Sequence, residues 1–396
     1  MSASFITAAA TRARDEELHR LIAMRIAYDS KLWRIEHRVG AGRCLVANCA
    51  IPAATKIFTE RPIVVTKGGA AAIAKAVLSL DRFSHDFLAA CQLHSPVERD
   101  KGFGPWAAGL AANNVHGAGG NLIDPSADRR AVLGLLASMM MHECCPSCVT
   151  HIASGSDGSL ISLHTVRPLL AGEPLSISYV GAYQPTATRR ELLLRQHRFI
   201  CRCRRCTELP EHTRAFRCPN CEEGPCSPTS SDASCRDLVC DGCECTMRLD
   251  DEAWQSLIDA ENSETITEES MSVLHPYHHM PIRVYQCNLM KLKPGQRADF
   301  LMQQADARAR LYEGFCSEQT AHPLVANDIE GAAVALLAAG DPARAADKFL
   351  DAASRFIAFY GEQSADAQRC AAAAKLKRID EYTALGTQRL EVLAHH

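Results

Sequence analysis

The chain of 396 residues has no long apolar run. A helix that spans a bilayer needs about 20 consecutive, predominantly apolar residues. The longest apolar stretch, Ala131–Met141, has only 11 residues. We therefore expect no membrane-spanning helix, and we interpret this stretch as a buried helix.

The sequence also lacks a targeting segment and a strong excess of charge of either sign. The N-terminal residues contain no apolar block of the kind found in secretory signal peptides, and acidic residues at positions 15 to 17 differ from the pattern of a mitochondrial presequence. The net charge of −3 gives no general attraction to nucleic acid or to anionic membranes. We expect the protein in the cytoplasm, the nucleus or both.

Cysteine, by contrast, is abundant. The chain has 19 cysteines, and 13 of them lie between residues 144 and 245. A disulfide framework requires an oxidising compartment, which the absence of a secretory signal makes a poor explanation. Clustered cysteines in a reducing compartment favour metal binding.

The first cysteine set follows the pattern CxCxxC at Cys201, Cys203 and Cys206. These residues supply three thiolates, whereas a structural zinc ion takes four ligands. The segment 141–148 offers the fourth, for which we favour Cys144 and leave its neighbours Cys145 and Cys148 as alternatives.

The second set consists of two CxxC pairs separated by 18 residues, a spacing typical of a zinc ribbon. Neither set has an open coordination position, so both sites are predicted to be structural. Three cysteines are then spare: Cys226, Cys235 and Cys245. The predicted ribbon ligands are Cys218, Cys221, Cys240 and Cys243.

Hydrophobic periodicity gives a coarse prediction of the elements. Short strands are expected between residues 33 and 65, at 160–166 and at 175–179, the last two joined as a hairpin by a turn at Gly172. Residues 102–120 resemble a loop. Helices are predicted at 14–28, 69–93, 129–141 and 187–198.

Beyond residue 250 the pattern is helical. Gly340 can end a helix, Asp341 can cap the next one, and Pro342 suits its first turn. Helix–Gly–helix units of this kind suggest a TPR-like array, and a plain helical bundle fits the pattern as well. The apolar stripe predicted for the helix after Pro342 comprises Ala346, Phe349, Leu350, Ala353, Phe356, Ile357 and Tyr360.

Seven arginines fall between Arg189 and Arg205. They could form a patch for nucleic acid or an acidic peptide, or they could be a solvated helix face. Aromatic residues are not interleaved with them, so we favour the solvated face and expect no direct nucleic-acid binding.

Together these motifs resemble the SET-and-MYND (SMYD) family of protein-lysine methyltransferases, in particular its arthropod-type branch. The resemblance covers most of the chain. The opening SET segment is similar to residues 42–62, and the post-SET region to residues 189–206. The family's Asn-His-Ser-Cys-x-Pro-Asn motif corresponds to Met141–Cys148, and its Gly-Glu-Glu-(x)-Ile-Ser-Tyr strand to residues 172–179.

The chain departs from the family pattern in several places. Only two cysteines, Cys49 and Cys91, fall between Leu45 and Asn113, so the MYND finger is expected to be missing. Met141 and Ser147 replace the two asparagines of the motif, and His197 stands where many members have a second active-site tyrosine.

The resemblance implies an activity and its residues. The activity is direct transfer of a methyl group from S-adenosylmethionine to a lysine amine of a protein, histone or non-histone. The alternative is a catalytically weakened, SET-derived zinc scaffold that binds proteins through its helical domain. Tyr179 would be the catalytic residue. The cofactor would contact Gly42, Arg43, Asn114, Met141, His142, Tyr179 and Phe199.

The implied fold class is α+β, with small SET-type sheets, a zinc-bound post-SET and ribbon segment, and an all-helical TPR-like C-terminal domain. We expect a monomer. The predicted division is an N-terminal helix at 1–30, the N-terminal SET segment at 31–68, a helical insert at 69–112, the SET core at 113–186, the post-SET and ribbon segment at 187–250, and the helical domain at 251–396.

Overall fold

A computed structural model describes residues 31–38, 42–80, 88, 101–118, 130–155, 158–181, 183–207, 210–262, 267–313 and 322–385. The predicted helix at 14–28 lies outside these residues. The described residues form two compact units, one with residues up to 142 and 146–177, the other with 143–145 and 178–385. The structure is therefore mixed α and β, with a helical C-terminal region.

The first unit is built from short strands in small sheets. Two of them, β7 and β10, pair in parallel, whereas the other pairs are antiparallel. The sheets have the orders β1-β2, β3-β9-β8, β4-β6-β5 and β7-β10. The strands are β1 (Trp33–Arg38), β2 (Gly42–Ala47), β3 (Lys56–Glu60), β4 (Val64–Lys67), β5 (Val115–Ala118), β6 (Arg130–Leu133), β7 (Met141–His142), β8 (Cys148–Gly155), β9 (Gly158–Thr165) and β10 (Ser176–Ile177).

The predicted loop at 102–120 is wrong. It contains a helix, α2 (Phe103–Asn114), which follows α1 (Ala70–Leu78) and leads into β5. Its Gly and Asn content is unfavourable for a helix, but Trp106 and Leu110 lie one turn apart and are both buried. Burial of this face outweighs the weak local propensity.

The predicted helix at 129–141 is also wrong. Strand β6 lies between β4 and β5, and the residues after it form a single 3₁₀ turn (Ala137–Met139) before β7. A short apolar run of a fully buried strand cannot be distinguished from a buried helix by periodicity.

The predicted hairpin around Gly172 does not form. Strand β9 pairs with β3 and β8, while the chain after Gly172 runs alongside β2 and then pairs with β7. Gly172 has φ of +83°, which suits a tight turn, but this turn redirects the chain instead of folding it back on β9.

The second unit begins with α3 (Thr186–His197), which confirms the predicted basic helix, and a short α4 (Arg204–Thr207). An antiparallel sheet follows, in the order β11-β12-β13-β14. Its strands are β11 (Phe216–Arg217), β12 (Pro225–Pro228), β13 (Asp237–Cys240) and β14 (Thr246–Arg248).

Helices make up the remainder of the second unit. Among the helices that the structure describes, none combines the length and apolar character needed to cross a bilayer. A 3₁₀ turn at Leu289–Lys291 separates the helix His279–Asn288 from the helix Pro294–Glu313. The helices are α5 (Asp251–Asn262), α6 (Glu268–Val273), α7 (His279–Asn288), α8 (Pro294–Glu313), α9 (Pro323–Ala338), α10 (Pro342–Tyr360) and α11 (Ala365–Ala373).

The junction between α9 and α10 confirms the predicted caps. Gly340 has φ of +80°, and the side chain of Asp341 accepts a hydrogen bond from the Arg344 amide at 3.1 Å. The apolar stripe is only partly as predicted, because Leu350 and Ile357 are exposed. The buried face of α10 is rotated toward Ala345, Phe349, Ala352, Phe356 and Phe359.

Candidate active site and metal centres

Strands β7 and β10 bring two of the sequence motifs side by side. Met141 is paired with Ser176 and His142 with Ile177, and the Met141 amide donates to the Leu175 carbonyl at 3.2 Å. The paired residues are 35 positions apart in the chain, so the parallel pairing is a product of tertiary folding.

Strand β2 lies on the other side of the segment 173–175. The Leu175 amide donates to the Leu45 carbonyl, and the Ala47 amide donates to the Glu173 carbonyl, both at 2.9 Å. Gly42 and Arg43 stand at the start of β2. Four of the predicted cofactor residues thus lie on the two strands, β2 and β7, that flank the segment 173–177.

Ser147, which replaces the second asparagine of the motif, is completely buried and bonded to β10. Its amide donates to Ser176 Oγ at 2.9 Å, and the Ser176 amide donates to Ser147 Oγ at 2.9 Å. A serine therefore connects this loop to β10, although the hydroxyl is shorter than the carboxamide it replaces.

Glu60 fixes the loop that leads into β7. Its carboxylate is buried and accepts hydrogen bonds from the amides of Leu135, Leu136 and Ala137 at 2.8–3.0 Å. Burial raises the pKa of Glu60, and the three amide donors act against that rise. A Cβ at Gly134 would lie 2.5 Å from Glu60 Oε1, so the carboxylate reaches the loop only past a glycine.

Asn114, another predicted cofactor residue, is buried at the end of α2. Its side-chain amide donates to the Leu110 carbonyl at 2.7 Å. The main-chain carbonyl of Asn114 accepts a hydrogen bond from Ser138 Oγ at 3.4 Å. Asn114 thereby links α2 to the 3₁₀ turn before β7. Its contact with a cofactor stays a prediction.

Tyr179 and Phe199, the remaining predicted residues, belong to the second unit. Both pack against a buried cluster that includes Cys144, Cys201 and Cys206. The His197 ring lies between them, with its centroid 4.8 Å from Tyr179 and 6.4 Å from Phe199. Burial raises the pKa of Tyr179 to about 12, so its hydroxyl is neutral at physiological pH.

The first cysteine set converges as predicted, and the structure selects Cys144 as the fourth member. The Sγ atoms of Cys144, Cys201, Cys203 and Cys206 all lie within 4.8 Å of one another. Cys144 Sγ is 3.9 Å from Cys201 Sγ and 3.5 Å from Cys206 Sγ. A zinc tetrathiolate with Zn–S bonds of about 2.3 Å has S···S edges of about 3.8 Å. The set could therefore hold zinc.

The four sulfurs share hydrogen bonds, which lower the pKa values of Cys203 and Cys206 and raise that of Cys144. Two buried arginines lie beside the set. Arg189 Nη2 lies 3.7 Å from Cys206 Sγ, and Arg205 Nη1 donates to the Cys144 carbonyl at 3.2 Å. Zinc binds the thiolate form, which nearby cations stabilise.

The predicted solvated face holds for four of the seven arginines, which are exposed: Arg195, Arg198, Arg202 and Arg204. It is wrong for Arg189 and Arg205, which are buried. Glu211, also buried, compensates their charge, and it accepts hydrogen bonds from the Thr186 amide at 2.7 Å and Thr213 Oγ1 at 2.6 Å. Burial by itself would raise the pKa of Glu211, but the two guanidinium groups hold it below its usual value. These two arginines support the metal set from within and are not available to phosphates.

The ribbon cysteines also converge. The Sγ atoms of Cys218, Cys221, Cys240 and Cys243 lie within 4.8 Å of one another. Backbone amides point at the sulfurs: Asn220 at Cys218 (3.4 Å), Gly224 at Cys221 (3.4 Å) and Gly242 at Cys240 (3.3 Å). Such N–H···S contacts stabilise thiolates, so this set could also hold zinc.

Backbone geometry makes the two halves of the ribbon alike. Glu222 follows the second cysteine of one pair with φ of +59°, and Glu244 follows that of the other with φ of +57°. The halves approach closely, since a Cβ at Gly224 would lie 2.6 Å from Cys240 Sγ. Two residues in the left-handed region, where non-glycine residues are uncommon, indicate that the turns are determined by the cysteine positions.

A third cluster, which the sequence did not reveal, comprises Glu261, His278 and His279. Arg214 donates to both carboxylate oxygens of Glu261, with Nη2–Oε2 at 2.7 Å and Nε–Oε1 at 2.8 Å. Because His278 Nδ1 accepts from the Met280 amide at 3.1 Å and burial lowers the His278 pKa to about 4, its single proton is on Nε2. The His278 ring then has no free lone pair for a metal. We interpret the cluster as the Arg214–Glu261 ion pair with two imidazoles beside it.

A cavity of about 400 Å³ in the second unit was not predicted either. Tyr183 Oη donates to the Tyr277 carbonyl at 2.6 Å, and the Arg310 guanidinium lies 4.9 Å above the Tyr277 ring while it pairs with Asp241. The lining residues are Tyr183, His212, Asp241, Tyr277, Ala307, Arg310 and Leu311.

Part of the chain is similar in sequence to known proteins. Residues 42–180 match the protein family described as SET domain. The chain is 25% identical over 181 residues to "Histone-lysine N-methyltransferase set5" of Schizosaccharomyces pombe, which covers 46% of this chain and 52% of that protein. It is 33% identical over 64 residues to "Protein SET DOMAIN GROUP 41" of Arabidopsis thaliana, covering 16% of this chain and 12% of that protein.

The chain thus spans about half the length of the first of these relatives and a smaller share of the second. Solved structures also match. "ctPRC2 in an autoinhibited conformation bound to S-adenosylmethionine" matches with a TM-score of 0.22 and 11% identity over 93% of this chain and 33% of that chain. "Chaetomium thermophilum Polycomb Repressive Complex 2 bound to GSK126" matches with a TM-score of 0.22 and 11% identity over 98% and 38%. In sequence, residues 42–180 thus match a SET domain, and a histone-lysine methyltransferase is among the proteins to which this chain is similar.

Proposed function

We propose that this chain is an S-adenosylmethionine-dependent protein-lysine N-methyltransferase of the SMYD type, close to the arthropod branch and without a MYND finger. The observation that carries the proposal is the parallel pairing of β7 with β10 inside the matched SET segment. It sets His142 beside Ile177, two residues before Tyr179. The similarity to a histone-lysine methyltransferase supports the reaction class.

The residues that would hold the cofactor come from strands β2 and β7 and from the end of α2. Gly42 and Arg43 would contact its methionine end, with Asn114, Met141 and His142 around them. S-adenosylmethionine supplies a methyl group on a sulfonium, which a neutral amine can attack directly. The cofactor therefore requires of the protein an aligned, water-poor pocket and no covalent intermediate.

Tyr179 would hold the reacting groups in place. Its hydroxyl is neutral because its pKa is about 12, so it can donate one hydrogen bond and accept weak CH···O contacts from a methyl group. The substrate lysine must lose its proton, since an ammonium has no lone pair. A partly desolvated channel lined by Phe199 would lower the lysine pKa from about 10.4 by disfavouring the charged form.

The two cysteine sets would hold structural zinc, because each supplies four sulfurs and leaves no position for a substrate. The first set lies directly against Tyr179 and Phe199. Zinc there would fix the backbone on both sides of these rings. The substrate would be a lysine of a protein, histone or non-histone, and the enzyme a monomer.

A catalytically weakened scaffold is the second candidate. Met141 in place of asparagine, and a histidine packed on Tyr179 where a second tyrosine is expected, favour it. In that case the zinc sets and the helical region would serve protein binding alone.

Calorimetric titration of S-adenosylmethionine into the purified, zinc-loaded chain separates the two candidates. We expect micromolar affinity, followed by transfer of a radiolabelled methyl group to core histones used as the test substrate. Binding should be lost in His142→Ala and kept in His151→Ala, a histidine of β8 outside the proposed pocket. Absence of binding by a folded chain with both metals would leave the scaffold function.

A further inference from the structure

The ribbon metal set has a fifth sulfur beside it. Cys245, one of the three cysteines that the spacing leaves spare, has its Sγ 3.3 Å from Cys243 Sγ and 3.7 Å from Cys218 Sγ. Cys243 Sγ lies at the same 3.7 Å from Cys218 Sγ. The sulfurs of Cys243 and Cys245 are thus equally far from Cys218 Sγ.

The other three members of the set are fixed. Cys218, Cys221 and Cys240 each accept a backbone amide hydrogen bond from their own turn, and Cys221 Sγ is 3.7 Å from Cys240 Sγ. These separations match the edge of about 3.8 Å expected from Zn–S bonds of about 2.3 Å. Three corners of the tetrahedron are therefore determined, and the choice concerns the fourth.

Cys243 and Cys245 compete for that corner. Their separation of 3.3 Å is shorter than a tetrahedral edge, and four-coordinate zinc has room for one of them. The backbone of Cys245 is held at the site, because its carbonyl accepts from the Cys240 amide at 3.0 Å. Cys243 is exposed, whereas Cys245 is half-buried, so burial gives Cys243 no advantage.

We propose that Cys243 and Cys245 are alternative fourth ligands of the ribbon metal, a thiophilic divalent ion such as zinc. The inference rests on the proposed zinc at this site. Cys243 Sγ lies within 4.8 Å of the other three sulfurs, whereas Cys245 Sγ does not belong to that group, so the Cys245 side chain has to turn further into the site to complete a tetrathiolate. The ion then passes from one thiolate to the other by ligand substitution, with one S–metal bond formed and one broken.

The first pair of the ribbon supplies the control. Cys221 corresponds to Cys243, and Glu223 stands two residues after Cys221, as Cys245 stands two residues after Cys243. The first pair therefore has no thiol at the position that matches Cys245, and the buried Cys226, which lies beside Cys218 and Cys240, is replaced by serine in the background of every variant. Cys221→Ser should abolish the site, although it makes the same chemical change as Cys243→Ser at the matching position.

The test compares four full-length variants: Cys221→Ser, Cys243→Ser, Cys245→Ser and the Cys243→Ser/Cys245→Ser double variant. Metal per chain is measured by elemental mass spectrometry after dialysis against a chelator. We expect one metal fewer in Cys221→Ser and in the double variant, and wild-type content in the two other single variants. Apparent affinity should fall by more than about 100-fold in the first two, beyond the loss that outer-shell changes cause.

Cobalt(II) loading reports the ligands directly, since the charge-transfer and d–d bands distinguish four thiolates from three plus water. Four are expected in Cys243→Ser as in wild type. A three-thiolate spectrum, or metal loss equal to that of Cys221→Ser, would overturn the alternative ligand. Absence of ribbon metal from the wild-type chain would instead overturn the zinc site itself.

Alkylation of the metal-loaded wild-type chain is independent of how the variants fold. Treatment with iodoacetamide and peptide mass spectrometry should show a single label shared between Cys243 and Cys245. Complete labelling of Cys245 with full protection of Cys243 would contradict the proposal.

Discussion

Ser147 and Ser176 hold each other's backbone. Each hydroxyl oxygen accepts the other residue's amide at 2.9 Å, and the two oxygens are 3.1 Å apart in a fully buried position. This reciprocal pair ties the loop after β7 to β10, the strand that leads toward Tyr179. Two short hydroxyl side chains are therefore enough to hold this loop against β10.

We expect Ser147→Ala to destabilise the protein by about 1–3 kcal/mol, because it removes the hydroxyl that accepts the buried Ser176 amide. Chemical denaturation measures the free energy of unfolding. Ser176→Ala should cost a similar amount, and the double variant should cost less than the sum, which a double-mutant cycle detects. Additive losses would show that the pair is not coupled.

Tyr179→Phe should keep the affinity for S-adenosylmethionine and lower methyl transfer, because only the hydroxyl is removed. Loss of one preorganised donor typically costs about 100-fold or more in turnover. Tyr285→Phe is the matched control, a tyrosine of α7 whose ring contacts Phe300. Turnover of Tyr179→Phe equal to that of the control would remove Tyr179 from the mechanism.

Cys203→Ser should remove the first metal and lower the thermal stability, since metal binding at a structural site contributes folding free energy. Cys145→Ser, adjacent to the metal set but outside it, should leave the metal content unchanged. The measurements are metal per chain and the melting temperature. Full metal content with an unchanged melting temperature in Cys203→Ser would contradict the site.

Arg189→Met should destabilise the chain by about 3–5 kcal/mol. It leaves the negative charge of the buried Glu211 carboxylate with only one of its two neighbouring guanidinium groups, that of Arg205. The folded-state pKa of Glu211 is below its usual value. Its contribution to stability is therefore present above the unfolded pKa of about 4.3 and is lost as the pH falls through the folded pKa.

In Arg189→Met the folded pKa of Glu211 should rise, and acid unfolding should begin at a higher pH than in wild type. Circular dichroism across pH 3–7 at constant salt measures the shift. Arg195→Met, which changes an exposed arginine of the same helix, is the control. If both variants unfold over the same range of acidic pH, Arg189 does not stabilise the charged form of Glu211.

The short-range features were predictable from the sequence. The CxCxxC and paired CxxC spacings identified seven of the eight cysteines whose sulfurs converge in the two sets, and the Gly340-Asp341-Pro342 triplet identified the end of one helix and the start of the next. Each depends on backbone geometry within a few residues. The composition-based prediction failed at α2 and β6 because the burial of Trp106 and Leu133 is set by distant neighbours.

The tertiary structure decided which side chains from distant segments come into contact. Cys144, and neither Cys145 nor Cys148, joins the CxCxxC sulfurs, because side chains adjacent in the chain point in different directions and only one meets the set. The same holds for Arg189 and Arg205, whose burial beside Glu211 depends on a residue outside the arginine run. By itself the sequence determined which thiols and turns exist, since these follow from local spacing. Which of them meet, and which charges are buried, required the packed fold, because such contacts are fixed by segments far apart in the chain.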